Sequence, residues 1–91
     1  MSLNQSVLIC DQVNTILKEI LEKNGLKVTY EPEITPEQIA EKIGKFEVVI
    51  VRSRTKMTRE LVEKANKCQI IARVGVGLDN IDQDAAKEKN I

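Results

Sequence analysis

Two arginines and a pair of glycines carry most of the chemistry this sequence offers. Arg52 closes the apolar run Val48-Val49-Ile50-Val51, and Arg73 stands in the run from Ile70 to Val74, which breaks into Gly75 and Gly77. A guanidinium is a rigid fork that pairs with carboxylate or phosphate, and a glycine turn brings bare N–H groups close to a ligand. The chemistry on offer is capture of an anion. Ser53, Arg54, Thr55, Lys56 and Met57 extend Arg52 into a polar, basic connection. The 91 residues contain no histidine, so there is no imidazole to act as acid, base or metal ligand.

These residues are positioned by a regular alternation of elements. Val7 to Cys10 reads as a buried strand ending at Asp11, followed by Val13, Ile16, Leu17, Ile20 and Leu21 at helical spacing up to the stop signal Asn24-Gly25. Leu26, Val28 and Tyr30 alternate with polar residues, the pattern of an edge strand. Thr35-Pro36-Glu37-Gln38 has a Thr cap, Pro at the first helical position and Gln three residues after the cap. The helix it starts carries Ile39, Ala40 and Ile43 and is expected to end at Gly44. The β-branched run 48–51 belongs in the middle of a sheet. Thr58 then caps a helix with Leu61, Val62, Ala65 and Cys68 on one side. After the Ile70 strand and the glycine turn, Asp79 or Asn80 can cap a last helix from Ile81 to about Lys89; with Asn80, Gln83 completes a capping box. Ile91 reads as the first residue of a fifth strand.

Alternating strands and helices imply an α/β fold: a doubly wound parallel sheet of four to five strands with helices on both faces, flavodoxin-like in layout. Ligands of such sheets sit beyond the carboxyl ends of the strands at the topological switch point. That edge collects Cys10-Asp11, Arg52-Ser53 and 74–77, so two cations and a nest of amides are expected in one region.

Composition narrows the function. Fourteen basic and fourteen acidic residues cancel, which argues against nucleic-acid or membrane-surface binding, and one Tyr and one Phe make no stacking platform. Cys10 and Cys68 are too few and too scattered for a disulfide framework or a zinc site. They read as small core residues and reduced thiols of a cytoplasmic protein. No apolar run approaches a membrane span. Plainer readings of the site stand beside the anion reading. A strand-end arginine also serves as a surface charge or structural ion pair, and Gly-Val-Gly also makes a tight turn. Gly75-x-Gly77-x-x-Asn80 lacks the third glycine of a dinucleotide fingerprint and follows the fourth strand. A receiver domain would need an aspartate where Val51-Arg52 stands, and a flavodoxin would need a Ser/Thr-rich loop in place of Cys-Asp-Gln-Val-Asn.

Three segments together carry a resemblance: Val7-Leu-Ile-Cys-Asp11, Val51-Arg-Ser-Arg-Thr-Lys-Met-Thr58 and Arg73-Val-Gly-Val-Gly-Leu-Asp-Asn-Ile-Asp82. Over essentially its whole length the chain resembles the substrate-binding domain of D-isomer-specific 2-hydroxyacid dehydrogenases. The resemblance implies NAD-dependent oxidation of a small phosphorylated hydroxy acid, 3-phosphoglycerate, to 3-phosphohydroxypyruvate at the start of serine biosynthesis. It also implies residue roles. Arg52 and Arg73 lie near the substrate phosphate with Ser53 and Lys56 flanking, and the amides of Gly75, Val76 and Gly77 face the substrate carboxylate. Val76 takes a position that in some members is a Thr close to the nicotinamide. The family's nucleotide-binding domain, with its glycine fingerprint, catalytic arginine and Glu-His pair, has no counterpart in residues 1–91. The expectation is an N-terminal piece of the substrate-binding domain that carries no catalytic residue, binds no NAD and transfers no hydride alone. An apolar surface left uncovered beyond Ile91 implies self-association, strand exchange being one route. The alternative is a stand-alone or engineered binding scaffold on this fold without catalysis.

Overall fold

The computed structural model describes residues 5–75, 77 and 79–91. Four short strands, β1 (Ser6–Ile9), β2 (Lys27–Tyr30), β3 (Val48–Val51) and β4 (Ile70–Arg73), form one parallel sheet in the order β2-β1-β3-β4. The helices α1 (Thr15–Lys23), α2 (Pro36–Lys42), α3 (Arg59–Lys64) and α4 (Gln83–Glu88) connect or follow them. The chain winds outward from the centre in both directions, so the switch point lies between β1 and β3.

Alternation along the strands divides the core in two. Val7, Ile9 and Ile50 face α1 and pack with Val13, Leu17 and Leu21. Leu8, Cys10, Val49 and Val51 face the other way and pack with Ile39, Ile43, Leu61, Val62, Ala85 and Ala86 from the remaining helices. The residues 48–51 are central, as their β-branched character requires, and β2 lies at an edge.

Helix ends follow local chemistry, with four departures from expectation. The first is that α3 ends at Lys64 with Ala65 as its C-cap, so that Cys68 lies beyond the helix expected to carry it. The Thr35 hydroxyl accepts from the Gln38 N–H at 3.2 Å and the Gln38 side chain accepts from the Thr35 N–H at 3.0 Å, a complete capping box. α2 does not end at Gly44, however; it tightens into a 3-10 turn over Ile43–Lys45 that contains Gly44. A Cβ on Gly44 would come within 3.2 Å of the Lys64 carbonyl oxygen, so the glycine lets the ends of α2 and α3 approach. α4 is capped by neither Asp79 nor Asn80: Asp82 accepts from the Ala85 N–H at 2.9 Å. Ile91 does not begin a strand. Its N–H donates to the Ala86 carbonyl while Asn90, at φ 61°, donates to that of Lys87, the closing pattern of a helix with a left-handed residue. Gly25 and Leu26 end α1 by the same pattern, with bonds to Glu22 and Leu21.

Candidate anion site at the strand ends

Asp11, just past β1, organises the switch point. Its carboxylate takes the N–H groups of Arg52 (2.6 Å) and Thr55 (3.1 Å), the Thr55 hydroxyl (2.5 Å) and the Arg54 Nε (3.0 Å). Asp11 is 2% exposed. Burial on its own would raise the carboxyl, but the Thr55 hydroxyl, the two N–H groups and the Arg54 guanidinium outweigh it and hold the group below its ordinary range. An ionised carboxylate engaged by four donors is a structural anchor and no general base.

The 52–56 turn therefore buries Thr55 and leaves Arg52, Ser53 and Lys56 on the rim. Arg52 is exposed and its Nη1 donates to the Gln12 carbonyl at 3.1 Å, leaning over the β1–α1 connection. Ser53 and Lys56 are exposed beside it. Arg54 instead turns inward, its Nη2 donating to the carbonyls of Cys10 (2.7 Å) and Ile34 (3.2 Å). Of the arginines in this turn, Arg54 takes the ion-pair role.

Arg73 sits opposite Val51 in the β3–β4 register and leaves the sheet on the side away from α1, the same side as Ile71. Its Nη1 donates to the Gly77 carbonyl at 2.8 Å. Gly75 and Gly77 take φ of 142° and 82°, which side-chain-bearing residues rarely adopt. A Cβ on Gly75 would stand 3.8 Å from the Arg73 Cζ and one on Gly77 3.5 Å from Nη1, so the guanidinium lies under the glycine turn and supports it. Val76 falls outside the described residues, and with it the amide and nicotinamide roles expected there.

Arg52, Ser53, Lys56, Arg73, Gly75 and Gly77 thus share the carboxyl edge of β3 and β4. The two arginines start from opposite faces of the sheet and each is tethered to a backbone carbonyl. Asp11 was expected at this edge but with no role assigned to it, and Thr55 and Asn80 were not among the residues expected at the site from the sequence. Their only sequence signals are a polar residue ending an apolar run and an Asp-Asn pair after glycines, and neither identifies a hydrogen-bond partner. Among the described residues no cluster of three or more His, Cys, Asp or Glu is placed to hold a metal.

α4 is only six residues long, and its start carries the acids Asp82 and Asp84 with Asp79 on the approach. Negative charge there opposes a pyrophosphate.

The fold is an α/β unit with a short parallel sheet and with cations and a glycine turn at the carboxyl edge of β3 and β4, and residues 7–91 match the family described as D-isomer specific 2-hydroxyacid dehydrogenase, catalytic domain. The chain belongs to that family. More particularly, it is similar to D-3-phosphoglycerate dehydrogenase of Methanocaldococcus jannaschii, with 45% identity over 93% of this chain and 16% of the relative. The fold matches the PH0520 protein of Pyrococcus horikoshii (TM-score 0.90, 30% identity, 97% of this chain and 26% of that one). It also matches the NAD+-bound 3-phosphoglycerate dehydrogenase of Entamoeba histolytica (TM-score 0.84, 33% identity, 97% and 31%). The chain spans about a sixth of its curated relative's length.

Proposed function

We propose that residues 1–91 are the N-terminal part of the substrate-binding domain of an NAD-dependent D-3-phosphoglycerate dehydrogenase, and that their contribution is to hold 3-phosphoglycerate. The observation that supports this reading is that Arg52, Lys56 and the Arg73-supported glycine turn lie at the same strand edge. In this reading Arg52 and Arg73, with Ser53 and Lys56, take the phosphate, and the amides of Gly75, Val76 and Gly77 take the carboxylate. Val76 takes the position that in some members of the family is a Thr close to the nicotinamide. The residues described here supply orientation and charge, while the groups that bind NAD and move hydride and proton belong to a nucleotide-binding domain outside residues 1–91. The parent enzyme is cytoplasmic, and the isolated piece associates with itself.

Amide NMR titration with 3-phosphoglycerate, with sulfate as the control anion, tests the site. Saturable shifts at Arg52, Arg73, Gly75, Val76 and Gly77 beyond those given by sulfate are expected, and identical responses to the two anions overturn the reading. Arg52→Ala and Arg73→Ala are each expected to weaken binding by roughly tenfold or more, the loss of one charge-assisted contact. NADH formation from 3-phosphoglycerate and NAD by this chain alone would refute its catalytic incompetence.

A further inference from the structure

The 52–55 turn is gripped from two sides by side chains of opposite hydrogen-bonding character. On one side Asp11, an acceptor only, takes the N–H groups of Arg52 and Thr55. On the other, the Asn80 side-chain amide donates to the carbonyls of the same two residues, Arg52 and Thr55, the latter at 2.7 Å. Backbone bonds reinforce the junction: Met57 N–H donates to the Asn80 carbonyl at 2.7 Å and Asp82 N–H to the Met57 carbonyl at 2.8 Å. Asn80 is 9% exposed. Its orientation follows from its partners, since two carbonyls can only accept and only the NH2 end can serve both. The Oδ1 end is buried without a partner among the described residues. The side chain is therefore retained at a cost in desolvation for what its donors do.

We propose that Asn80 is a positioning residue of the anion site, locking the Arg52–Lys56 turn to the loop that carries Gly75 and Gly77. At this point the two loops are joined by a single parallel bridge, Met57 to Ile81, made by the Met57 bonds, and by the side-chain amide beside it. With the lock closed, the cations after β3 and the amides after β4 present one fixed arrangement to a ligand. With it open, each loop keeps its residues but loses its relation to the other. This inference rests on reading the two loops as one anion site.

Asn80→Asp is nearly isosteric and reverses the chemistry. At high pH it sets a carboxylate against two carbonyls, and on protonation it regains one donor. The charged groups around it are Asp79 and Asp82 on its own loop, Arg52 and Lys56 on the opposite loop and Asp11 across the turn. The expected result, for 3-phosphoglycerate titrated by NMR, is binding at least tenfold weaker than in the parent chain at pH 8, with the gap narrowing at pH 5. Without ligand, exchange protection of the Arg52 and Thr55 amides is expected to fall at least tenfold at pH 8 while the β1 amides of Leu8 and Ile9 keep theirs. Asn80→Ser, which keeps one donor, is expected to weaken binding equally at both pH values and serves if the Asp variant fails to fold. Parent-like protection at Arg52 and Thr55, or a binding deficit in Asn80→Asp that ignores pH, overturns the proposal. If the parent chain binds no anion while the variant loses protection, the lock stands and the anion reading falls.

Discussion

Asp11 shows how one residue can decide a loop. Its carboxylate replaces water with four protein donors, and its depressed pKa is the thermodynamic trace of that exchange. A group whose pKa is lower folded than unfolded contributes stability in full above the unfolded value, about 3.9 for Asp. That contribution is lost as pH falls through the folded value. Urea unfolding from pH 7 downward is therefore expected to show stability declining below about pH 5, and Asp11→Asn is expected to flatten that decline. At pH 7, Asp11→Ala should lower stability by about 3 kcal/mol, because Thr55 and the backbone donors lose a buried charged partner. Neighbouring Cys10 is the opposite case. Burial, followed by the Asp11 charge, pushes its thiol up to about 12, and burial likewise raises Cys68. Both are expected to ignore a disulfide reagent at pH 8 in the folded chain and to react fully in denaturant, which a thiol-release assay reads directly.

At the scale of elements, the helices are short and depend on their ends. α2 has seven residues and α3 and α4 six each, too few to persist in water without packing and caps. Each has a side-chain cap on its first turn, from Thr35, Thr58 and Asp82. Thr35→Ala removes one half of a reciprocal pair and is expected to cost about 1 kcal/mol by chemical denaturation. Gly25→Ala is expected to destabilise comparably, since φ of 85° disfavours a Cβ. Asn90 does the same work at the end of α4 in the left-handed region with its side chain retained, a role to which Asn is suited. This is why Asn90-Ile91 terminates a helix where the apolar Ile91 alone reads as a strand.

The whole molecule is covered unevenly. Three helices pack on one face of the sheet and α1 alone on the other, over β1 and β2. Ile70 and Val74 share the α1 face with Ala72, and at 54% and 41% exposure they leave the β4 side open. Ile16 and Ile20 on α1 are 56% and 50% exposed. Exposed apolar side chains of this kind, with β4 at the edge of the sheet, are expected to drive association. Light scattering is expected to give a mass that rises with concentration, and Ile16→Lys, Ile20→Lys and Ile70→Lys combined are expected to restore a monomer. A constant monomer mass in the parent chain would refute this. Among the described residues no helix is long and apolar enough to cross a membrane.

What the sequence determined by itself was the part written in local chemistry and period. The run 48–51, the Thr35 capping box, the Asn24-Gly25 stop and the strand-helix alternation each depend on residues within a few positions of one another. Placing Arg52, Arg73 and the glycine turn at one edge needed only the alternation and the rule for parallel crossovers. Tertiary structure decided the partners. The sequence treats Arg52 and Arg54 alike, yet Arg54 turns in to Asp11 because the 52–55 turn folds over that carboxylate. Asn80 is as good a cap as Asp82 by type, but its NH2 is held by the two carbonyls beside it, and its Oδ1, the atom that would accept from a helix N–H, has no partner among the described residues. Such choices are made by groups 25 to 44 residues apart in the chain. Hydrogen-bond partners at that separation leave no periodic mark in a sequence, because only the folded sheet brings them within reach.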